Sequence, residues 1–131
     1  MPLDRSVIGA ESAPEIFEIE RGAIRRFAEA IGDGSPAYRS GEVAPPTFPT
    51  TFRMTVPGVS IEAARVLHGG EEYVYERPLK AGDRIVCRRK IADIYEREGR
   101  LGRMTFVVSE TEGRDEAGAL VFRARSTIIV R

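Results

Sequence analysis

The sequence lacks several features that would assign its class at once. Its 131 residues include one cysteine, one histidine and no tryptophan, and its basic and acidic residues both number 20. The lone Cys87 excludes an intrachain disulfide, and one histidine with one cysteine cannot build a usual zinc site. A net charge of zero gives no sign of a nucleic-acid or anionic-lipid partner. We therefore expect no metal, no other cofactor and no nucleic-acid partner.

Long apolar runs are also missing. No run approaches the ~20 residues that a membrane-spanning helix needs, so we expect no membrane association. The first residues, MPLDRSVIGAES, have no basic segment followed by an apolar one, so we expect no signal peptide and a cytoplasmic location. The content of hydrophobic residues, 42%, is enough for a core. We expect a single domain over residues 1–131, with residues 1–12 as a poorly ordered lead-in.

The N-terminal third predicts a short strand and one helix. APEIFEIE, residues 13–20, alternates weakly and indicates a strand or a lead-in. In the segment that follows, Ile24, Phe27, Ala28 and Ile31 lie at i, i+3, i+4 and i+7, which places them on one helical face. Gly32 follows the last of them, where a C′ glycine ends a helix.

Residues 32–60 contain five prolines, which disfavours long regular elements. APPTFPTTF, residues 44–52, is nevertheless apolar and aromatic, so we expect it to pack on something or to line a pocket. Ser60 is a candidate N-cap, and we expect a short helix over residues 60–67 that Gly69 and Gly70 stop.

From residue 71 the hydrophobic period becomes two. EEYVYERP predicts a short strand that Pro78 closes, and three long strands follow at residues 84–96, 101–111 and 119–131. REGR and GRDEAG have the composition of hairpin turns, so the strands form an antiparallel meander. The helix and the sheet each need a cover for one apolar face. An α+β fold in which a long antiparallel sheet wraps around the helix provides both covers.

The stretch FAEAIGDGSPAY, Phe27 to Tyr38, places a carboxylate just past the predicted helix end. Asp33 meets the negative end of the helix dipole there, which is unfavourable for a charge. Gly-Asp-Gly-Ser-Pro is good turn chemistry, because Asp bonds readily to its own backbone. A role in general acid or base catalysis is the alternative that the residues leave open.

This stretch resembles the hydratase motif of the MaoC-like dehydratases, which are (R)-specific enoyl-thioester hydratases of the hot-dog superfamily. The motif runs aromatic, helix, Gly-Asp, any residue, Asn-Pro, any residue, His. Asp33 and Pro36 match it, Ser35 replaces the Asn, and Tyr38 stands in place of the catalytic His. APPTF, LHGGEEYVYERPLKAGD and IVCRRKIADIYERE extend the resemblance over residues 14–131. They are similar to the N-terminal type of MaoC domain, which includes accessory subunits of heteromeric dehydratases.

The resemblance implies a hot-dog fold and a component of a (3R)-hydroxyacyl-thioester dehydratase or enoyl-thioester hydratase. Adding water to an enoyl thioester needs a base for the water, an acid for the α-carbon and donors at the thioester oxygen. Asp33 can orient or deprotonate the water. A tyrosine phenol has an ordinary pKa of about 10, so Tyr38 is no substitute for a histidine base near neutral pH. We therefore expect a chain that binds the acyl part of an acyl-CoA or acyl-ACP thioester, with hydro-lyase activity that depends on a catalytic MaoC-like partner.

The resemblance also suggests substrate-binding residues, which are Pro45, Pro46, Thr47, Phe48, His68, Gly69 and Gly70. The proline-rich loop lines an acyl tunnel in this interpretation, and packing on the helix is the alternative. His68 is either a base beside Glu71 or Glu72, or a structural histidine where the chain turns into the next strand.

Two further patterns concern the strands. The basic run at residues 88–90 and the pair Arg123 and Arg125 are typical of solvated strand faces, although an anionic CoA or carrier protein offers a docking partner. Cys87 follows the alternation of Ile85 and is expected to be buried.

Rival functions and the assembly remain open. A hot-dog acyl-CoA thioesterase needs an acidic residue on the helix but no hydratase turn, and a non-catalytic acyl-thioester-binding protein needs neither. Because a single hot-dog sheet leaves its edges exposed, we expect a homodimer or a heterodimer with the catalytic subunit.

Overall fold

A computed structural model describes residues 4–100 and 102–131. Within these ranges the chain forms one five-stranded antiparallel sheet in the order β1-β3-β4-β5-β2. The strands are β1 (Glu15–Glu18), β2 (Val66–Tyr75), β3 (Arg84–Gly99), β4 (Gly102–Arg114) and β5 (Leu120–Val130). The helices are α1 (Arg21–Ala30) and α2 (Pro36–Arg39), and single 3-10 turns cover Arg5–Val7, Phe48–Thr51 and Ala63–Arg65.

The meander of three long strands is the predicted one. The strands β3, β4 and β5 follow one another through short turns and pair antiparallel, with register shifts between Ile91 and Asp93 and between Gly113 and Arg114. Leu101, the predicted start of the second long strand, lies outside the described residues. Alternating apolar residues fix this register, because a slip by one residue would move each apolar side chain to the other face.

The expected helix over residues 60–67 is wrong. Residues 63–65 form only a 3-10 turn, and β2 begins at Val66, which pairs with Val130 of β5. The local sequence contains good helix formers, but pairing with the last strand overrides that propensity. The glycines at 69 and 70 do not stop a helix. The register of β2 instead shifts between His68 and Gly70, which is a β-bulge.

The helix α1 ends as its sequence predicts. Gly32 has a φ of 72° and donates to the carbonyl of Glu29, while the N–H of Asp33 donates to the carbonyl of Ala28 at 2.9 Å. These two bonds form a Schellman motif, which satisfies carbonyl groups that the helix leaves free. Ile31 differs from its prediction, since it follows the last helical residue and is exposed.

Residues 4–12, which we expected to be a poorly ordered lead-in, run along β3. The N–H of Gly9 donates to Ile91 O at 2.8 Å, and the N–H of Ile91 donates to Ala10 O. Further along, the N–H of Ser12 donates to Arg89 O, and the N–H of Arg89 donates to Ser12 Oγ. Residues 1–3 of that lead-in lie outside the described residues.

Two separate apolar clusters fill the inner face of the sheet. The first joins α1 to β3 and β5, and it includes Ile24, Phe52, Ile85, Cys87 and Phe122. The second lies further along the strands and includes Val56, Ile91, Ile94 and Val107. The helix therefore covers one end of the sheet, and the irregular segment that contains Val56 covers the other.

Candidate functional site

The turn after α1 holds Asp33 by its own backbone. Asp33 is half-buried, and its Oδ1 accepts a hydrogen bond from the N–H of Ser35 at 2.9 Å. Its carbonyl accepts a bond from Arg39 Nε at 2.8 Å. Pro36 opens α2, where its missing N–H costs nothing. The carboxylate thus has the turn role that the sequence predicts, and its catalytic role stays a prediction.

Tyr38 lies beside a tyrosine of β2. It is half-buried on α2, and Tyr75 Oη donates to the carbonyl of Pro46 at 2.6 Å. Burial first, and then the phenols of Tyr73 and Tyr38, raise the pKa of Tyr75 above its ordinary value. The structure therefore brings Tyr38 and Pro46 together around Tyr75.

The proline-rich loop packs into the first cluster. Pro45 and Phe48 are buried, and the ring of Phe48 meets Phe27 edge to face, with 5.5 Å between ring centroids. Pro46 and Thr47 are exposed. These four residues do not line the large cleft described next. The loop therefore packs through Pro45 and Phe48, whereas Pro49, Thr50 and Phe52 of the same segment line the cleft. A substrate-binding role for residues 45–48 stays a prediction.

A cleft of about 1070 Å³ lies between the inner face of the sheet and residues 49–61. Its volume is slightly above that of most small-molecule sites, which is roughly 300–1,000 Å³. His68 is exposed and lines the cleft from β2, where it pairs with Ile128. The strand begins two residues earlier, so His68 is not at the turn into the strand. Gly69 and Gly70 form the bulge beside it.

The floor of the cleft carries two rows of polar side chains between the two apolar clusters. In one row, the strand register aligns Arg89, Thr111, Ala124 and Tyr73 across β3, β4, β5 and β2. In the next row, it aligns Ile91, Ser109, Ser126 and Glu71. We call the six polar members the polar band, namely Arg89, Thr111, Tyr73, Ser109, Ser126 and Glu71.

Hydrogen bonds link members of the polar band in pairs. Arg89 Nε donates to Thr111 Oγ1 at 3.0 Å, and Ser126 Oγ donates to Glu71 Oε1 at 2.7 Å. Burial lowers the pKa of the Arg89 guanidinium, and the Glu71 carboxylate opposes that effect. Burial, together with the same carboxylate, raises the pKa of Tyr73, which keeps its phenol protonated near neutral pH. The cleft therefore presents both donors and an acceptor.

Sequence reasoning missed the polar band. It placed the basic run at residues 88–90 on a solvated face, whereas Arg89 points inward between Cys87 and Ile91. The alternation along β3 could have predicted this position. Arg89 lies two residues from Cys87 and two from Ile91, and side chains two residues apart on a strand lie on the same face. Cys87 is buried as predicted, and burial raises the pKa of its thiol to about 12.

Acidic and basic side chains lie next to one another on the outer face of the sheet. One row across the sheet aligns Glu11, Lys90, Glu110, Arg125 and Glu72, so acids and bases alternate. Arg125 Nη1 lies 2.9 Å from Glu110 Oε1. The predicted solvated face is confirmed for Lys90 and Arg125, and their acidic neighbours leave no purely basic patch here.

Among residues 4–100 and 102–131, no group of three or more His, Cys, Asp or Glu side chains is placed to hold a metal ion. No helix there has the length and apolar character to cross a membrane.

The sheet around α1 and the Gly-Asp turn define a hot-dog protein of the MaoC-like dehydratase class. A family model described as "FAS1-like, dehydratase domain region" matches residues 6–124. The chain belongs to this family. The predicted family and hot-dog fold are therefore confirmed.

Relatives in sequence span the whole chain. A UPF0336 protein of Saccharopolyspora erythraea is 36% identical over an alignment of 149 positions, which covers 100% of this chain and 93% of the relative. A UPF0336 protein of Thermobifida fusca is 34% identical, with 100% and 95% covered.

Solved structures show the same fold. The HadBC (3R-hydroxyacyl-ACP dehydratase) complex of Mycobacterium tuberculosis contains a chain that is 26% identical, with a TM-score of 0.75 and coverage of 94% of this chain and 96% of that one. A MaoC-like dehydratase from Phytophthora capsici has a TM-score of 0.76 at 19% identity, and covers 98% of this chain and 50% of that one. At that identity the second likeness concerns the fold alone.

Proposed function

We propose that this chain is the acyl-binding component of a (3R)-hydroxyacyl-thioester dehydratase or enoyl-thioester hydratase, acting in the cytoplasm on an acyl-CoA or acyl-ACP. A partner subunit of the MaoC-like class supplies the catalytic histidine. The observation that carries the proposal is the turn after α1. It contains Gly32, Asp33 and Pro36 of the motif in an ordered turn, and the sequence carries Tyr38 at the motif position of the histidine.

The one histidine of the sequence does not replace the missing base within this turn. His68 lies on β2 in the cleft, whereas the turn lies after α1. General base catalysis needs a group within hydrogen-bond reach of the water that it activates. A second chain with an intact Asp and His pair would meet that need. The chain of 26% identity belongs to the HadBC (3R-hydroxyacyl-ACP dehydratase) complex, which supports an assembly of this kind.

The sheet edge is compatible with such a partner. The outermost strand, β2, is ten residues long and has no strand on its outer side among the residues described. An unpaired edge offers backbone N–H and C=O groups to another chain. This supports an assembly of two hot-dog units without naming the second.

The test uses the chain alone and together with a small separately encoded protein that carries Gly-Asp-x-Asn-Pro-x-His. Hydration of crotonyl-CoA and of a longer enoyl-CoA is measured for both preparations. We expect turnover only from the complex, and its loss when the partner's motif histidine is replaced by alanine. Release of free CoA is followed in parallel, because thioester hydrolysis would indicate the thioesterase alternative.

The Asp33→Asn variant makes the test specific for the turn. Asparagine keeps an acceptor oxygen for the N–H of Ser35 but cannot take a proton. Robust hydration by the isolated chain that persists in this variant would overturn the proposal, because the chemistry would then not use the turn.

A further inference from the structure

The stability of the fold does not explain why the polar band lies on the inner face of the sheet. It crosses the inner face of the sheet between two apolar clusters, where apolar side chains would join them into one core. Thr111 is 6% exposed, and Arg89 is half-buried. Moving a guanidinium out of water is unfavourable unless partners replace the lost hydration.

The partners within the chain are incomplete. Of the Arg89 side chain, only Nε makes a hydrogen bond to a described residue, and no described carboxylate forms an ion pair with it. A guanidinium carries five N–H donors. Its terminal nitrogens therefore have donors available in a cleft of about 1070 Å³ that Arg89 lines.

The chemistry of the polar band selects among ligand groups. Neighbouring rows on one face lie about 7 Å apart, because side chains on that face recur every second residue. Donors lie in the row of Arg89 and Tyr73, and the Glu71 carboxylate lies in the adjacent row. A hydroxyl can accept from one row and donate to the other, and a carbonyl oxygen can accept from the first.

Two other ligand groups fit less well. A carboxylate would meet the charges of Glu71 and Glu15, which both line the cleft. A plain alkyl chain would cover the guanidinium and leave its terminal N–H groups without partners, which costs the desolvation energy of those groups.

We propose that the polar band is a subsite for an oxygen function of the acyl chain other than the thioester carbonyl, namely a hydroxyl or a second carbonyl. This inference rests on the proposed function, since it names the class of acyl group that the cleft accepts. The chain then selects oxygenated acyl groups over plain aliphatic ones of equal length. Sites built to bond a substrate hydroxyl reject the analogue that lacks it far more strongly than apolar pockets reject a missing methylene.

The experiment compares the binding of octanoyl-CoA and ω-hydroxyoctanoyl-CoA by calorimetry, with the chain in the assembly in which it purifies. We expect the hydroxylated thioester to bind at least about tenfold more tightly to the unmodified protein. Arg89→Met and Glu71→Gln each reduce that preference, because each lowers the affinity for the hydroxylated thioester. If Arg89→Met does not fold, Glu71→Gln carries the test, because Glu71 is exposed.

The strand alternation supplies matched controls. Arg88→Met and Glu72→Gln make the same chemical changes one residue away, on the outer face of β3 and β2, and both keep the preference. Equal binding of the two thioesters, or a preference that Arg89→Met and Glu71→Gln leave intact, overturns the subsite and leaves the proposed function standing. Binding of neither thioester overturns the proposed function and the subsite with it.

Discussion

The Asp33 carboxylate both accepts a hydrogen bond within the turn and lies at the unfavourable end of the helix dipole of α1. One oxygen accepts the N–H of Ser35 and fixes the turn, and the side chain stands next to the carbonyl end of α1. The bond to Ser35 explains how an acid is tolerated where the helix dipole disfavours it. The turn alone therefore accounts for the position of this carboxylate, and a role in orienting water stays part of the proposed function.

Removing the carboxylate should cost stability through the turn. We expect Asp33→Ala to lower the free energy of unfolding by about 1 kcal/mol, because the Ser35 N–H loses its partner. Asp33→Asn should cost less, since its side-chain oxygen can still accept that bond. Urea denaturation of both variants measures the difference. Equal losses would show that the negative charge, and not the acceptor oxygen, matters here.

Close packing between strands shows most clearly at Gly113 on β4. A Cβ built there would lie 2.2 Å from Phe122 Cε1 and 3.0 Å from Ile85 Cγ2. Gly113 pairs with both Cys87 and Phe122 in the strand register, so it sits under the first apolar cluster. The absent side chain makes room for the Phe122 ring, which is buried completely.

Filling this space should destabilise the protein. We expect Gly113→Ala to lower the free energy of unfolding by about 1–3 kcal/mol, because the Phe122 ring must leave its position. Gly34→Ala is the control, since a Cβ at Gly34 meets no atom within 4 Å. That variant should change the free energy of unfolding by no more than about 0.5 kcal/mol. Thermal or urea unfolding distinguishes the two, and a neutral Gly113→Ala would contradict the packing argument.

How well each structural feature could be predicted from the sequence depends on how local that feature is. Strands β3 to β5 were predictable because Ile85, Cys87 and Ile91 alternate within one segment. The start of β2 was not predictable, because Val66 is in a strand only through its pairing with Val130, which lies far along the chain. The Gly-Asp turn was visible because its residues are contiguous. The polar band was hidden because four strands contribute its side chains, and no local pattern links them.

The two edges of the sheet are unequal. The edge strand β1 has four residues, and the backbone of residues 9–12 bonds to β3 beyond it. The edge strand β2 has ten residues and exposes Val74 by 65% and Leu67 by 48%. Natural proteins usually shorten, charge or cover such edges. The edge β2 carries Glu71 and Glu72 beside its exposed apolar residues, but it is long and uncovered among the described residues. It is therefore the edge that we expect another chain to meet.

A charge on β2 should therefore weaken association. We expect the unmodified chain to be dimeric at micromolar concentration, with itself or with its partner. Val74→Lys should raise the dissociation constant by about tenfold, since a lysine on an edge opposes strand pairing. Ile31→Lys is the matched control, because Ile31 is a similarly exposed apolar residue, 48% accessible, at the end of α1. Sedimentation velocity or light scattering over a dilution series measures both variants. A chain that stays monomeric both alone and with its partner would contradict the expected association, and equal weakening by the two substitutions would show that β2 is not the edge that pairs.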